Sequence, residues 1–305
     1  MTTSDVMSGV LAPVVTPFKA DLSADTERLI THCKWLLSQD CGLAVFGTNS
    51  EANSLTMDER FELLDSLVDA GLDPARMMPG TGCCSIFDSV ALTKRAIQLG
   101  CGGVLMLPPF YYKAVSDEGI YRSFAQIIER CGDDRLRIYL YHFPQMSAVP
   151  FSIDLIGRLL EDFPGIVVGM KDSSGDQANL EAVMKAFPGF GMFAGNETLL
   201  LANMRLGGAG CISATANVNP AGIVNLFDNW EADNANEVQA GLDIVREAVQ
   251  QFVLIPAMKK MISHYGSDQE WNRVRPPLIE LDNTQSGKLI DDLDALGFEM
   301  PGLAG

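Results

Sequence analysis

Gly165-Ile-Val-Val-Gly-Met-Lys-Asp-Ser-Ser-Gly-Asp176 is the stretch on which the fold reading turns. Residues 166–170 form a short, β-branched apolar run, the pattern of a strand buried on both faces. The run stops at Lys171 and gives way to a Ser/Gly-rich turn before the next helix. A lysine at the C-terminal end of a buried strand is an expensive choice. A desolvated ammonium tends to lose its proton, and a neutral amine is what Schiff-base chemistry on a carbonyl needs. The plainer alternative is that Lys171 snorkels to the rim or pairs with Asp172.

Working outward, the same alternation repeats. Downstream, strands at 191–194 and 210–214 are each followed by a helix, and helices fall at 177–187, 197–206 and 220–230. Upstream, strands are expected at 10–16, 43–46, 76–79, 103–107 and 137–141. Helices at 25–38, 56–70, 86–99, 117–131 and 153–162 separate them. Thr56 with Glu59 has the spacing of a capping box, and Ser152 can cap the helix that follows it. Eight strand-then-helix units are the content of a (β/α)8 TIM barrel, assigned here to residues 1–231. An open doubly wound sheet competes, but no G-x-G-x-x-G follows the first strand. From residue 232 no strand pattern remains, and helices at 237–253, 255–265 and 284–296 form a C-terminal helical extension over 232–305. Gly287 leaves the start of the last helix open.

Of the 305 residues, 47% are hydrophobic and 20% charged, ample for a large core. The net charge of −17 and a pI near 4.5 repel phosphate backbones and argue against nucleic-acid binding. No apolar run reaches the ~18 residues of a membrane span. The start, Met1-Thr-Thr-Ser-Asp5, lacks the basic and apolar regions of a signal peptide, so a cytoplasmic location is expected. The seven cysteines show no framework spacing and read as reduced thiols, with Cys83 and Cys84 as small packing residues. His32, His142 and His264 belong to no metal-binding motif, and neither a metal nor an organic cofactor is expected.

In a barrel of this kind, function collects at the C-terminal ends of the strands. That rule selects Thr48, Asn49, Ser50 and Glu51 after the second strand, and Tyr111 and Tyr112 after the fourth. It also selects Tyr141 and His142 at the fifth, Lys171 at the sixth, and Gly195, Asn196 and Glu197 after the seventh. Phenols near a lysine can relay protons without adding charge, and amide groups in a Gly-Thr-Asn-Ser turn can hold a carboxylate. Together they describe a site for a small 2-oxo acid. Each has a plainer reading. Tyr139 and Tyr141 share a face, so one of them can be core; Tyr111 and Tyr112 can be an interface pair; Thr48 can cap a turn; Glu51 can complement a helix dipole.

These motifs resemble the dihydrodipicolinate synthase / N-acetylneuraminate lyase family of class I, pyruvate-dependent aldolases. The likeness runs from Val10-Leu-Ala-Pro-Val-Val-Thr-Pro-Phe18 to Arg275-Pro-Pro-Leu278. It rests on Gly47-Thr-Asn-Ser-Glu51, Pro108-Pro-Phe-Tyr-Tyr112, Tyr141-His-Phe-Pro144, Gly169-Met-Lys-Asp172 and Gly210-Cys-Ile-Ser-Ala-Thr-Ala-Asn217. The resemblance implies that Lys171 forms an imine with pyruvate and that Tyr141 is the general acid/base. It implies that Thr48 links Tyr141 to a Tyr111 reaching in from a neighbouring subunit, hence a homo-oligomer, dimer or tetramer. It further implies that the Thr48 and Asn49 amides hold the pyruvate carboxylate and that Ile212 lines the pocket.

Some positions depart from the pattern. Synthases of this family carry Arg two residues after the Pro of Tyr-x-x-Pro; here that position is Met146, which cannot pair with a carboxylate. The family turn Gly-Thr-Thr-Gly-Glu has Ser50 in place of its second glycine, which alters the allowed backbone. Gly195-Asn-Glu-Thr198 partly matches the sugar-contacting run of sialic-acid lyases, through Glu197, and residues 169–173 resemble 4-hydroxy-2-oxoglutarate aldolases. The expected function is a lyase joining or separating pyruvate and an aldehyde. Alternatives are a sugar-acid dehydratase or a dihydrodipicolinate synthase using the same imine, and a 2-oxo acid sensor without turnover. A phosphate-binding barrel is disfavoured, because Gly207-Gly208 precedes the last strand instead of following it.

Overall fold

Most of the long helices begin on a side chain that can take an amide proton. In the computed structural model, which describes residues 6–303, Asp25, Thr56, Ser85, Ser116, Ser152 and Asp176 each accept from an N–H of the following first turn. Thr56 and Glu59 form the expected capping box, with bonds of 3.2 and 2.8 Å. Residues 1–5, on which the reading of the chain start rests, lie outside the described part.

In chain order the elements are β1 (Gly9–Ala12), α1 (Thr26–Ser38), β2 (Gly42–Leu43), α2 (Met57–Asp69), α3 (Ile86–Leu99), β3 (Val104–Met106), α4 (Asp117–Cys131) and β4 (Ile138–His142). Next come α5 (Pro144–Ser147), α6 (Ile153–Asp162), β5 (Val167–Asp172), α7 (Gln177–Ala186), β6 (Gly191–Ala194), α8 (Leu200–Arg205) and β7 (Gly210–Ile212). Helices α9 (Pro220–Asp228), α10 (Ala235–Gln250), α11 (Leu254–Tyr265) and α12 (Asn283–Ala295) complete the chain. The chain separates into two compact units: one holds Asp73–Ile212 with the segment ending at Gly9, the other Val10–Leu72 with the segment beginning at Ser213.

In the first unit, β3 to β7 lie side by side in sequence order and pair in parallel. A doubly wound sheet reverses its strand order, and this run does not. The register sets Tyr141 opposite Lys171, His142 opposite Asp172, and Lys171 opposite Phe193. Tyr139 is fully buried beneath them, its hydroxyl accepting the Met7 N–H at 2.6 Å. Glycines make room for that ring: a Cβ on Gly169 would meet it at 2.5 Å, and one on Gly103 at 2.7 Å.

The expected strand at 76–79 is not formed as a strand. A 3-10 turn, Pro74–Arg76, takes its start, and Pro79 has no N–H to give. What remains is isolated bridge residues, Met77 and Gly80; Gly80 pairs in parallel with Leu105, flanked by Leu105 N–H to the Pro79 carbonyl and Thr81 N–H to the Leu105 carbonyl, each 2.9 Å. The described residues therefore form seven strands of a parallel α/β fold, where eight were expected.

In the second unit, β1 and β2 pair in parallel, Leu11 opposite Gly42 and Ala12 opposite Leu43. Both are shorter than the sequence suggests. Pro13 ends β1, and Phe46, at φ 61°, turns the chain away soon after β2. Beyond residue 231 every described regular element is helical, and α12 runs through Gly287 without a break. No described helix is long and apolar enough to cross a membrane.

Candidate active site

Alternation along β5 decides where its last two side chains go. Lys171 is 4% exposed. Its ammonium donates to the Tyr141 hydroxyl at 3.5 Å and sits 4.5 Å from the centre of that ring. Among the described residues Lys171 has no ion pair. Asp172, the partner the sequence offered, points to the other face. Its carboxylate accepts from the Ser174 N–H at 2.9 Å and the Asn179 amide at 2.8 Å. His142, opposite Asp172, is buried and takes the Phe151 N–H on Nδ1 at 3.2 Å, which makes that nitrogen an acceptor. Burial holds the His142 pKa below its ordinary value, against the pull of Asp172. Of the two tyrosines on one face, Tyr139 is therefore core and Tyr141 meets the lysine.

Other expected residues of the first unit are spread over its strand ends and loops. Ile212 is fully buried at the end of β7. Glu197 is buried at the start of a 3-10 turn, Glu197–Leu199, that Asn196 caps through the Thr198 N–H at 3.0 Å. Tyr111 is 73% exposed and packs edge-on to Tyr112 with ring centres 5.3 Å apart. Met146, on the one-turn helix α5, is 62% exposed. A cation does reach this loop: Lys113 donates to the Ser147 carbonyl at 2.9 Å and to that of Phe110.

Thr48 and Asn49 belong to the second unit, in a turn closed by three backbone bonds. Ser50 and Ala52 donate to the Gly47 carbonyl, at 3.2 and 3.3 Å, and Glu51 donates to that of Thr48 at 3.0 Å. Among the described residues the Asn49 N–H makes no hydrogen bond. Ser50 does not need the glycine conformation: it is absent from the positive-φ residues, and its hydroxyl donates to the Val14 carbonyl at 2.5 Å. The left-handed residue is instead Glu51, at φ 55°. It stands before a 3-10 turn, Ala52–Ser54, but its side chain does not cap that turn. Its carboxylate is buried and takes the Lys259 ammonium at 2.5 Å and the Arg275 N–H at 2.9 Å. Burial pushes Lys259 down to about 8, while Glu51 pulls it back up.

Among the described residues no three His, Cys, Asp or Glu side chains gather to hold a metal ion. Gly207 and Gly208 offer no anion cradle, since their N–H groups cap α8 through the Met204 and Asn203 carbonyls, each at 2.9 Å. Cys84 is exposed and Cys83 only half-buried, so the packing role expected for them is not found. A buried amine beside a phenol is equipped for carbonyl chemistry and proton transfer.

Known proteins agree in kind. The model of the dihydrodipicolinate synthetase family matches residues 6–296. An uncharacterized DapA-like lyase of Chloroflexus aurantiacus is 30% identical over 92% of this chain and 94% of its own length. The crystal structure of dihydrodipicolinate synthase from Agrobacterium tumefaciens is 32% identical, with a TM-score of 0.88 over 94% of this chain and 99% of that one. A prophage protein of the dihydrodipicolinic acid synthase family from Escherichia coli K12, solved in complex with pyruvate, is 25% identical, with a TM-score of 0.87 over 95% and 99%. The chain belongs to the dihydrodipicolinate synthetase family, a family of lyases and aldolases.

Proposed function

We propose that this protein is a Schiff-base aldolase or lyase that uses pyruvate and forms its imine on Lys171. The observation that carries the reading is the buried Lys171 ammonium, 3.5 Å from the Tyr141 hydroxyl and without an ion pair among the described residues. A carboxylate beside the amine would hold its proton, whereas a phenol can pass one on. Lys171 Nζ attacks the ketone carbon of pyruvate, Tyr141 delivers a proton to the departing oxygen, and water leaves. Loss of a methyl proton gives the enamine. Its carbon bonds to the aldehyde carbon, the aldehyde oxygen takes a proton, and water releases Lys171. The reverse cleaves a 4-hydroxy-2-oxo acid.

The family likeness supports the remaining roles. Thr48 relays protons between Tyr141 and the Tyr111 of a second subunit, in a cytoplasmic homo-oligomer built on a closed (β/α)8 barrel. The Thr48 and Asn49 amides hold the pyruvate carboxylate, Ile212 lines the imine, and Glu197 contacts hydroxyls of the second substrate. Pyruvate is the ligand of the Escherichia coli relative. Met146 carries no charge, which favours an acceptor without a second carboxylate over the substrate of the strict synthase; dehydration of a sugar acid through the same imine shares that preference. Nothing in the comparisons favours a sensor without turnover.

The test is borohydride reduction in the presence of pyruvate, read by intact mass and peptide mapping. A reduced adduct on Lys171, absent from Lys171→Ala, is expected. A folded protein that binds pyruvate and gives no adduct there overturns the reading.

A further inference from the structure

The turn that carries Thr48 and Asn49 is fixed from an unexpected direction. Glu51 closes it in a left-handed conformation that residues other than glycine seldom adopt. The surroundings are one buried cluster within the second unit. Lys259, fully buried on α11, donates to Glu51 at 2.5 Å and to the Arg273 carbonyl at 2.8 Å. The Arg275 N–H reaches the other Glu51 oxygen. The Arg275 side chain donates to the Ser54 carbonyl at 2.5 Å and pairs with Glu59. The Lys259 ammonium and the Arg275 guanidinium both lie against the Phe18 ring, 4.4 and 4.6 Å from its centre. On the near side of the turn, Ser50 is tied to the Val14 carbonyl, and its own carbonyl accepts from Thr16 at 2.8 Å. The C-terminal helical segment thus clamps Glu51, three residues from Thr48 and two from Asn49.

We propose that Lys259 and Glu51 are a positioning pair for the 2-oxo acid carboxylate: the clamp aims the Thr48–Asn49 amides and sets the affinity for pyruvate without touching it. This rests on the reading that the turn binds that carboxylate. A salt bridge serving stability alone would move the unfolding midpoint and leave substrate affinity where it was.

The experiment compares the wild type with Lys259→Met, Lys259→Arg, Glu51→Gln and the doubly neutral K259M/E51Q. Two quantities are measured: the pyruvate concentration that half-saturates borohydride trapping, and the KM and kcat for exchange of pyruvate methyl protons. Folding is checked by circular dichroism. Lys259→Met and Glu51→Gln are expected to raise the half-saturating concentration and KM about tenfold or more, with kcat within about threefold, the signature of lost binding common to ground and transition states. Lys259→Arg, which keeps the charge, is expected to recover most of the loss. The double variant covers the case in which a lone buried charge prevents folding of either single one, and it is expected to show the same raised KM. Folded variants whose half-saturation stays within about twofold of wild type, or whose loss falls on kcat alone, overturn the proposal. Failure of all the neutral variants to fold makes the pair a stability element and also overturns it. A wild type that yields no adduct rejects the imine reading itself, and is told apart by failing before any variant is made.

Discussion

Two lysines are buried among the described residues, and their neighbours differ. Lys259 has a carboxylate at 2.5 Å and a backbone carbonyl at 2.8 Å. Lys171 has a phenol at 3.5 Å. The first arrangement satisfies a charge, while the second leaves an amine next to a group that can exchange a proton with it. If Tyr141 acts in that way, Tyr141→Phe should lower kcat about a hundredfold or more with KM within about threefold, read in the methyl-proton exchange of pyruvate. Equal losses in both constants would make the phenol a binding group. Met146 tests specificity at the same scale. An arginine there gains a bidentate carboxylate partner, so Met146→Arg should raise kcat/KM for a carboxylate-bearing aldehyde about tenfold relative to a neutral one. An unchanged ratio would mean that this loop does not meet the second substrate. Lys171 and Tyr141 were legible because a lysine ending an apolar run and a tyrosine ending the neighbouring run are local patterns. Which of Tyr139 and Tyr141 is core was not legible, since that choice depends on Gly103 and Gly169 lying against one ring.

Helices were easier to bound than strands. A helix end is written in the few residues that cap it, and Ile86–Leu99, Asp117–Cys131 and Ile153–Asp162 form over the residues expected, each behind a serine that accepts an N–H of its first turn. The α2 capping box shows what such a local signal contributes. Thr56→Ala removes the side-chain acceptor for the Glu59 N–H and should cost about 1 kcal/mol in urea unfolding, with Thr56→Ser close to wild type. A Thr56→Ser as unstable as the alanine would place the effect in the lost methyl. A strand end depends on what the neighbouring chain can offer, which sequence does not carry. Hence β1 and β2 came out shorter than their apolar runs, and the 76–79 segment reduced to isolated bridge residues on either side of Pro79. The role of Glu51 was missed for the same reason: its partner lies 208 residues along the chain, and no local period marks it.

At the scale of the whole molecule, stability as a function of pH reports on groups that fold into an environment they cannot share with water. His32 is such a group. Its ring lies between Trp35 and Trp271, with centres 5.6 and 5.1 Å away, and Nε2 is 3.4 Å from the Asn217 side-chain oxygen. Asn217 is committed elsewhere too, accepting the Val15 N–H and donating to the Pro13 carbonyl, so it gives the imidazolium little extra support. Burial pushes His32 down to about 4. The unfolded chain binds a proton at this residue near its ordinary pKa of about 6.5, whereas the folded chain does not until about 4. Between those values the unfolded state holds more protons, so stability rises with pH there, and acidification removes it. The contribution is fully present above about pH 6.5 and, for one proton over that interval, amounts to something on the order of 3 kcal/mol lost by about pH 4. Carboxylates that unpair in acid steepen the fall in any variant, so the informative quantity is a difference. Urea midpoints of wild type and His32→Asn should separate most at pH 7, with wild type the more stable, and converge towards pH 4. Parallel curves would mean that His32 takes up its proton in the folded protein as readily as in the unfolded chain, and that its seat between the two tryptophans admits water.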